Sequence, residues 1–410
     1  MASTYWGAQA PISKARALMA PNGAPVHTAK GWGLGMSGLL AWRNLAHDRS
    51  RLVVTMVGIV FAVVLIAIQL GLYLGFLDTT TTIIRHSRAD LWIVAKGTRN
   101  FEVTVPIHER EAYLARSVPG VARVEGLVVQ FVPWKKPEGG DESVILIGSD
   151  LNTGLVGPWS LAEGDLESLR RPDAVAVDRL YADKLGIQGP GDQVEINGHR
   201  ARVVAMTEGI RSFTTSPWIF ASDRTAQAMS GFDNTQWNYL IATLEPGNDP
   251  DRVRDALRAA IPRADVYSVE ELASTTRDYW LLTTGAGASV LASALLGLLV
   301  GSVIVAQVLY ATTVDHLSEF GTLRAMGAPR GFIYRVILSQ AAISATIGHI
   351  IGIAIALAIS RSSETGSLLV LVTPDLAGGL YFVTLAMCLG ASMISIRKAM
   401  TIDPAMVFQR

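Results

Sequence analysis

Cysteine is almost absent. The 410 residues contain one, Cys388, set inside an apolar run. A single thiol excludes an intrachain disulfide and any cysteine-based metal site, and a small buried hydrophobe is its simplest role. Charge is scarce as well: Asp, Glu, Lys and Arg make up 17% of the chain, against about 25% in an ordinary soluble domain. The 35 basic side chains balance 35 acidic ones, so nothing points to nucleic acid or to an acidic partner. Nucleotide signatures are missing too. No G-x-x-x-x-G-K-[ST] occurs, and Gly31, Gly33, Gly35 and Gly38 have neither a strand before them nor a Lys-Ser/Thr after them, so they read as a hinge. No G-x-S-x-G nucleophile motif is present, and His108-Glu109-Arg110-Glu111-Ala112 opens like a zinc-protease motif but lacks its second histidine.

The missing charge is concentrated. Four stretches are free of Asp, Glu, Lys and Arg: Leu52–Leu77, the segment between Asp278 and Asp315, Val336–Ser360 and Leu376–Ile396. Each is long enough to cross a bilayer, which takes about 20 residues, and each is apolar all round rather than striped. The expected spans are 52–78, 284–313, 332–360 and 376–396. Cations dominate before the first span (Lys14, Arg16, Lys30, Arg43, Arg49, Arg51) and after the last (Arg397, Lys398, Arg410). The 361–375 connection carries one Arg and two acids. This asymmetry predicts that both termini and the 397–410 tail are cytoplasmic and that the short loop is outside. Tyr279 and Trp280 outside the second span, Tyr310 at its inner end, and Phe332 and Tyr334 opening the third mark the interfaces. Residues 1–35 are expected to be a disordered leader, and 36–51 an interfacial helix.

Within the spans, small residues recur four apart at Gly71/Gly75, Gly297/Gly301 and Gly348/Gly352, a spacing that lets a neighbouring helix approach closely. His349 is the one ionisable side chain in the membrane core, with Gln69, Gln307 and Gln340 as neutral polar company. So little buried charge argues against a proton-driven carrier.

Residues 79–279 have ordinary soluble composition and should form a mixed α/β periplasmic domain of two lobes. Alternation marks strands at Leu91–Ala95, Val121–Val132 and Ser143–Ile147. Gly191–Gly198 reads as a strand entering an Asn-Gly turn, with Val203–Ala205 returning. Asn238–Leu244, Asp249–Ile261 and Ala264–Val269 alternate as β-α-β. Trp134, Trp159, Trp218 and Trp237 fit core or lobe-interface packing better than an exposed binding surface.

The 314–331 segment joins the second and third spans. It is helix-prone, with Leu317, Phe320, Leu323 and Ala325 alternating with Glu319 and Arg324, and it stops at Gly327 before Pro329. A helix of this kind across the membrane face could dock on a cytoplasmic partner. Glu319, Gly321, Leu323, Arg324, Ala325, Gly327 and Ala328 resemble the coupling region, roughly E-x-G-x-L-R-A-x-G-A, of MacB/FtsX-type ABC transporter permeases. The Gln307–Glu319 run, Leu40–His47 with Gln69-Leu70-Gly71, and the Asp403-Pro404-Ala405 ending are similar to the DevC subgroup. Gln340 stands where many relatives carry Glu.

The resemblance implies a non-catalytic subunit of the bacterial inner membrane. Two copies would pair with two copies of a separate cytoplasmic ATPase, which binds the ATP and magnesium, and no cofactor would be held by this chain. Glu319, Gly321, Leu323, Arg324 and Gly327 would seat on that ATPase, while Gly297, Gly301, Gly348 and Gly352 pack the spans. It further implies a periplasmic adaptor and an outer-membrane channel, and export of amphiphilic cargo such as lipids or glycolipids drawn from the membrane. The alternative is an FtsX-like mechanotransmitter that controls a periplasmic partner without transport. An adjacent adaptor gene would favour the first and an adjacent hydrolase gene the second.

Overall fold

The computed structural model describes residues 49–399 except 215, 234, 317–318, 320, 324–325, 364–365 and 367. The chain opens with α1 (Arg49–Thr79), α2 (Thr82–His86), β1 (Leu91–Ala95), β2 (Ile107–His108), α3 (Glu109–Arg116), β3 (Val121–Lys135) and β4 (Asp141–Ser149). It continues with β5 (Leu161–Gly164), β6 (Ala174–Asp178), α4 (Ala182–Leu185), β7 (Gln193–Ile196), β8 (His199–Thr207), β9 (Trp218–Ser222) and α5 (Asp223–Ser230). Then come β10 (Gln236–Trp237), β11 (Tyr239–Leu244), α6 (Pro250–Ala260), β12 (Ala264–Ser268) and α7 (Val269–Asp278). The long helices α8 (Ala286–Asp315), α9 (Arg330–Ser363) and α10 (Pro374–Ala399) close it.

Four helices, α1, α8, α9 and α10, are long and apolar enough to cross a membrane. Their 26 to 34 residues amount to about 39–51 Å at 1.5 Å per residue, more than a 30 Å hydrocarbon core. α1 lies at the centre. Ile59, Ala62, Val63 and Ile66 on its inner face are buried, whereas Val57, Phe61, Leu295, Leu299 and Ile350 point outward and are exposed. Apolar side chains on the outside of a bundle suit lipid as the surrounding solvent.

The extramembrane domain, set between α1 and α8, is built on one sheet of order β12-β1-β11-β3-β4-β9-β6-β8-β5, with β7 pairing β3 and β8. β3 is the element that makes it one sheet. Its first half pairs β11 up to Tyr239↔Leu127, and its second half pairs β4 from Val128↔Gly148. The two expected lobes are therefore joined by a shared strand, and a core cluster holding Trp92, Tyr239, Ile145 and Phe220 runs through both. The β-α-β reading becomes a split unit: β11 and β12 flank β1, which is antiparallel to each. At the β7–β8 hairpin, Asn197 (φ 49°) and Gly198 (φ 80°) both adopt the left-handed region that a type I′ turn needs. Helix starts are encoded locally. Asp249 caps α6 ahead of Pro250, and Ser268 with Glu271 forms a reciprocal capping box on α7.

Trp134 and Trp218 are buried core residues. Trp237 packs against two core clusters at once and lies so close over Gly126 that a Cβ there would come 2.0 Å from its ring. The expected leader, residues 36–48 of the interfacial helix, and the tail beyond residue 399 lie outside the described residues. Arg49–Arg51 are simply the first turn of α1.

Candidate coupling segment and the junction above the spans

Helix packing in the bundle rests on glycine. A Cβ on Gly297 would meet Gln69 at 3.1 Å, and one on Gly301 would meet Ile66 at 3.0 Å. Gly348 and Gly352 face Ile59 and Val63 more closely still, at 2.5 and 2.7 Å. These four positions bring α8 and α9 close against the buried side of α1. Gly71 and Gly75 behave differently from the helix-to-helix expectation. Their neighbour is the extended 368–373 connection between α9 and α10: the Leu371 N–H donates to the Gly71 carbonyl at 2.9 Å, and a Cβ on Gly75 would come 2.0 Å from the Leu369 carbonyl oxygen. Ser360 Oγ donates to the Val370 carbonyl at 2.6 Å, and Ser363 Oγ accepts from the Val370 N–H. The connection is thus a strap laid across α1.

At the other end of the bundle lies the candidate coupling segment. Glu319 and Gly321–Leu323 are helical. The helix ends where Gly327 takes φ 92° and the Ala328 N–H reaches back to the Leu323 carbonyl at 3.0 Å. This is the six-to-one bond of a Schellman stop. The hydrophobic contact that accompanies such a stop is also present: Leu323 packs against the cluster of Ala328, Phe332, Ile333, Val336, Ile337 and Ile396. Leu323 therefore faces inward and pins the segment to the feet of α9 and α10. Glu319, Thr322 and Met326 remain exposed. His316, buried at the end of α8, places Nδ1 3.1 Å from Glu319 Oε1. Glu319, Gly321, Leu323 and Gly327 all lie at this end; Arg324 is outside the described residues. Sequence reasoning missed the inward role of Leu323 and the His316 contact, although the three-residue spacing of His316 and Glu319 on a helix was visible.

Where the spans meet the domain, aromatic rings make a continuous chain. Phe76 of α1 meets Phe213 (5.7 Å between centroids), and Phe213 meets Trp280 (4.5 Å) in the π-helical turn Tyr279–Thr283 that precedes α8. The Trp280 indole N–H donates to Glu102 Oε2 at 3.1 Å. Glu102 is buried, and its other oxygen has no partner among the described residues. Loss of hydration pushes its pKa up to about 7, and the Trp280 hydrogen bond only partly offsets this. Beneath it, Tyr239 donates to the Phe101 carbonyl at 2.6 Å. Arg211 Nε donates to the Gly366 carbonyl at 3.2 Å, tying the domain to the chain just ahead of the strap. On the far side, His86 stacks on Trp159 at 4.1 Å and Arg85 pairs with Glu270 at 3.1 Å.

No group of three or more His, Cys, Asp or Glu able to hold a metal occurs among the described residues. His108 is an exposed residue at the start of α3. His349 is buried in α9, its ring 5.3 Å from that of Tyr381.

The chain matches the family model of the MacB-like periplasmic core domain over residues 52–260 and that of the FtsX-like permease C-terminal over 291–404. An uncharacterized ABC transporter permease of Mycobacterium tuberculosis is 22% identical over 377 residues, covering 90% of this chain and 98% of the relative. An uncharacterized ABC transporter permease of Methanocaldococcus jannaschii is 21% identical over 180 residues, covering 42% and 44%. Among solved structures, the periplasmic region of MacB from Actinobacillus actinomycetemcomitans aligns with a TM-score of 0.37 at 11% identity, over 47% of this chain and 94% of that one. The extracellular domain of the transporter YknZ from Gram-positive bacteria aligns at 0.34 and 15%, over 44% and 99%. With four membrane helices and a mixed α/β domain between the first and second, the chain belongs to the MacB/FtsX-type ABC transporter permeases.

Proposed function

We propose that this permease converts ATP hydrolysis on a separate cytoplasmic ATPase into movement of its extramembrane domain, to export amphiphilic cargo such as lipids or glycolipids. The supporting observation is the coupling segment. Its Schellman stop and Leu323 fix it to α9 and α10, while Glu319, Thr322 and Met326 are exposed. A segment anchored in this way can pass a push from a docked partner directly into two spans. α9 leads to the strap, the strap grips α1 at Gly71 and Gly75, and Arg211 holds the domain to Gly366 between α9 and the strap. The ATP and magnesium belong to the partner.

In this reading two permease copies assemble with two ATPases in the bacterial inner membrane, both termini are cytoplasmic, and a periplasmic adaptor and outer-membrane channel complete the export path. The cation distribution around the spans supports that orientation. The test is Glu319→Ala with Arg324→Ala. The double variant should insert normally yet lose permease-dependent stimulation of the ATPase in vesicles. Normal ATP-dependent activity would remove the coupling assignment.

A further inference from the structure

The 96–105 loop of the domain reaches down beside the start of α8. Phe101 is buried in the core between Trp92 and Tyr239, and Glu102 is held by Trp280, so the loop is fixed at both steps. What it displays is of two kinds. Val103 is 64% exposed and Val105 68% exposed. Lys96 and Arg99 are exposed cations; Lys96 Nζ reaches only the Pro262 carbonyl at 3.5 Å, and Arg99 has no side-chain partner among the described residues. Across a hollow from Arg99 stand Tyr279, Thr283 and Leu282, the last 81% exposed. Asp278 also lines the hollow, 3.9 Å from Arg277.

The height of this surface follows from contacts. The strap ends at Thr373, where the apolar run of α10 begins, so it lies at the edge of the hydrocarbon. Leu371 is bonded to Gly71 of α1. Phe76 is five residues further along α1, about 7 Å. Phe76 touches Phe213, which touches Trp280, which touches Glu102. The headgroup zone is itself about 5–8 Å deep on each side. Trp280 also lies only six residues before Ala286, where α8 begins, so Val103, the residue after Glu102, lies near the outer end of that span. Tryptophan and tyrosine at such a level are interface anchors, and cations beside exposed aliphatics match an anionic lipid surface.

We propose that the 96–105 loop and the Tyr279–Thr283 turn form a lip that seats on the bilayer and holds an anionic phospholipid. The headgroup lies beside Lys96 and Arg99, and the chain lies against Val103, Val105 and Leu282. The inference rests on the four helices being membrane spans, and the controls separate its failure from theirs. The permease acquires a lipid-contacting element outside its spans, positioned to sense or sort the lipids next to its moving domain.

The single cysteine makes the test direct. In a Cys388→Ala background, an environment-sensitive NBD label is placed by Val103→Cys, with Glu138→Cys at an exposed hairpin tip and Leu299→Cys on the lipid face of α8 as references. The full chain is reconstituted in nanodiscs of phosphatidylglycerol and phosphatidylcholine brominated near the headgroup. The lip predicts quenching at position 103 about threefold stronger than at 138. Lys96→Glu with Arg99→Glu, or phosphatidylcholine alone, should weaken it severalfold, as expected where each cation contributes about one kcal/mol near an anionic surface. Quenching at 103 equal to that at 138, with 299 still quenched, would overturn the lip. So would a disulfide linking two Val103→Cys copies, which would put a second permease there. Quenching indifferent to charge would overturn the anionic headgroup. Loss of quenching at 299 would instead indict the spans.

Discussion

Glu102→Gln tests the junction by its charge. Glu102 is 4% exposed, accepts one hydrogen bond from Trp280, and has its pKa raised from 4.5 to about 7 by burial. The sign follows from proton counts. Between about pH 4.5 and 7 the folded chain holds a proton that the unfolded chain has released, so stability falls as pH rises through that window and levels off above it. A shift of this size, at 1.36 kcal/mol per unit, corresponds to about 3 kcal/mol. Glutamine keeps an oxygen for the Trp280 N–H and cannot ionise. Wild type and variant should therefore be equally stable near pH 4 and below, and the variant should be more stable by about 3 kcal/mol at pH 8. For a domain of this size that is a rise of about 6–12 °C in midpoint. Thermal unfolding followed by tryptophan fluorescence on the reconstituted chain reads it. A variant that loses as much stability as wild type between pH 5 and 8 would refute the reasoning.

Other outcomes follow from close packing and orientation. Gly126→Ala drives a Cβ into the Trp237 ring and should cost about 1–3 kcal/mol, seen as a lower unfolding midpoint; an unchanged midpoint would mean that Trp237 moves freely. Gly75→Leu should displace the strap from α1 while leaving the domain folded, read as faster hydrogen exchange at the Leu371 amide with protection in β3 retained. Gly301→Leu should separate α8 from α1 by occupying the space now filled by Ile66, lowering extraction stability in detergent. A protease supplied from the periplasm should cut within residues 80–278 and spare both termini; cleavage near Arg410 would reverse the orientation.

Much of the architecture was legible because it is written in short-range chemistry. The spans announce themselves by uncharged length, the β7–β8 hairpin by Asn197-Gly198, and α6 by its place between two strand-like runs, whereas α7 and its Ser268–Glu271 capping box emerged only in the structure. What was not legible depends on partners far apart in sequence. Nothing local shows that Glu102 meets Trp280 across 178 positions, or that β3 divides its pairing between two halves of the sheet. The spacing of Gly71 and Gly75 records that something comes close but not that it is a strap rather than a helix. At the coupling segment, the motif gave the residues and the Gly327 stop, whereas the inward turn of Leu323 required knowing where α10 ends.

The central claim is that this chain transmits the work of another polypeptide. Affinity purification of the tagged permease from gently solubilised membranes tests it most directly. Recovery of an ABC ATPase at one copy per permease, lost with Glu319→Ala and Arg324→Ala, is the predicted result. A permease that purifies with no ATPase, under solubilisation that keeps a control ABC transporter assembled, would contradict the account.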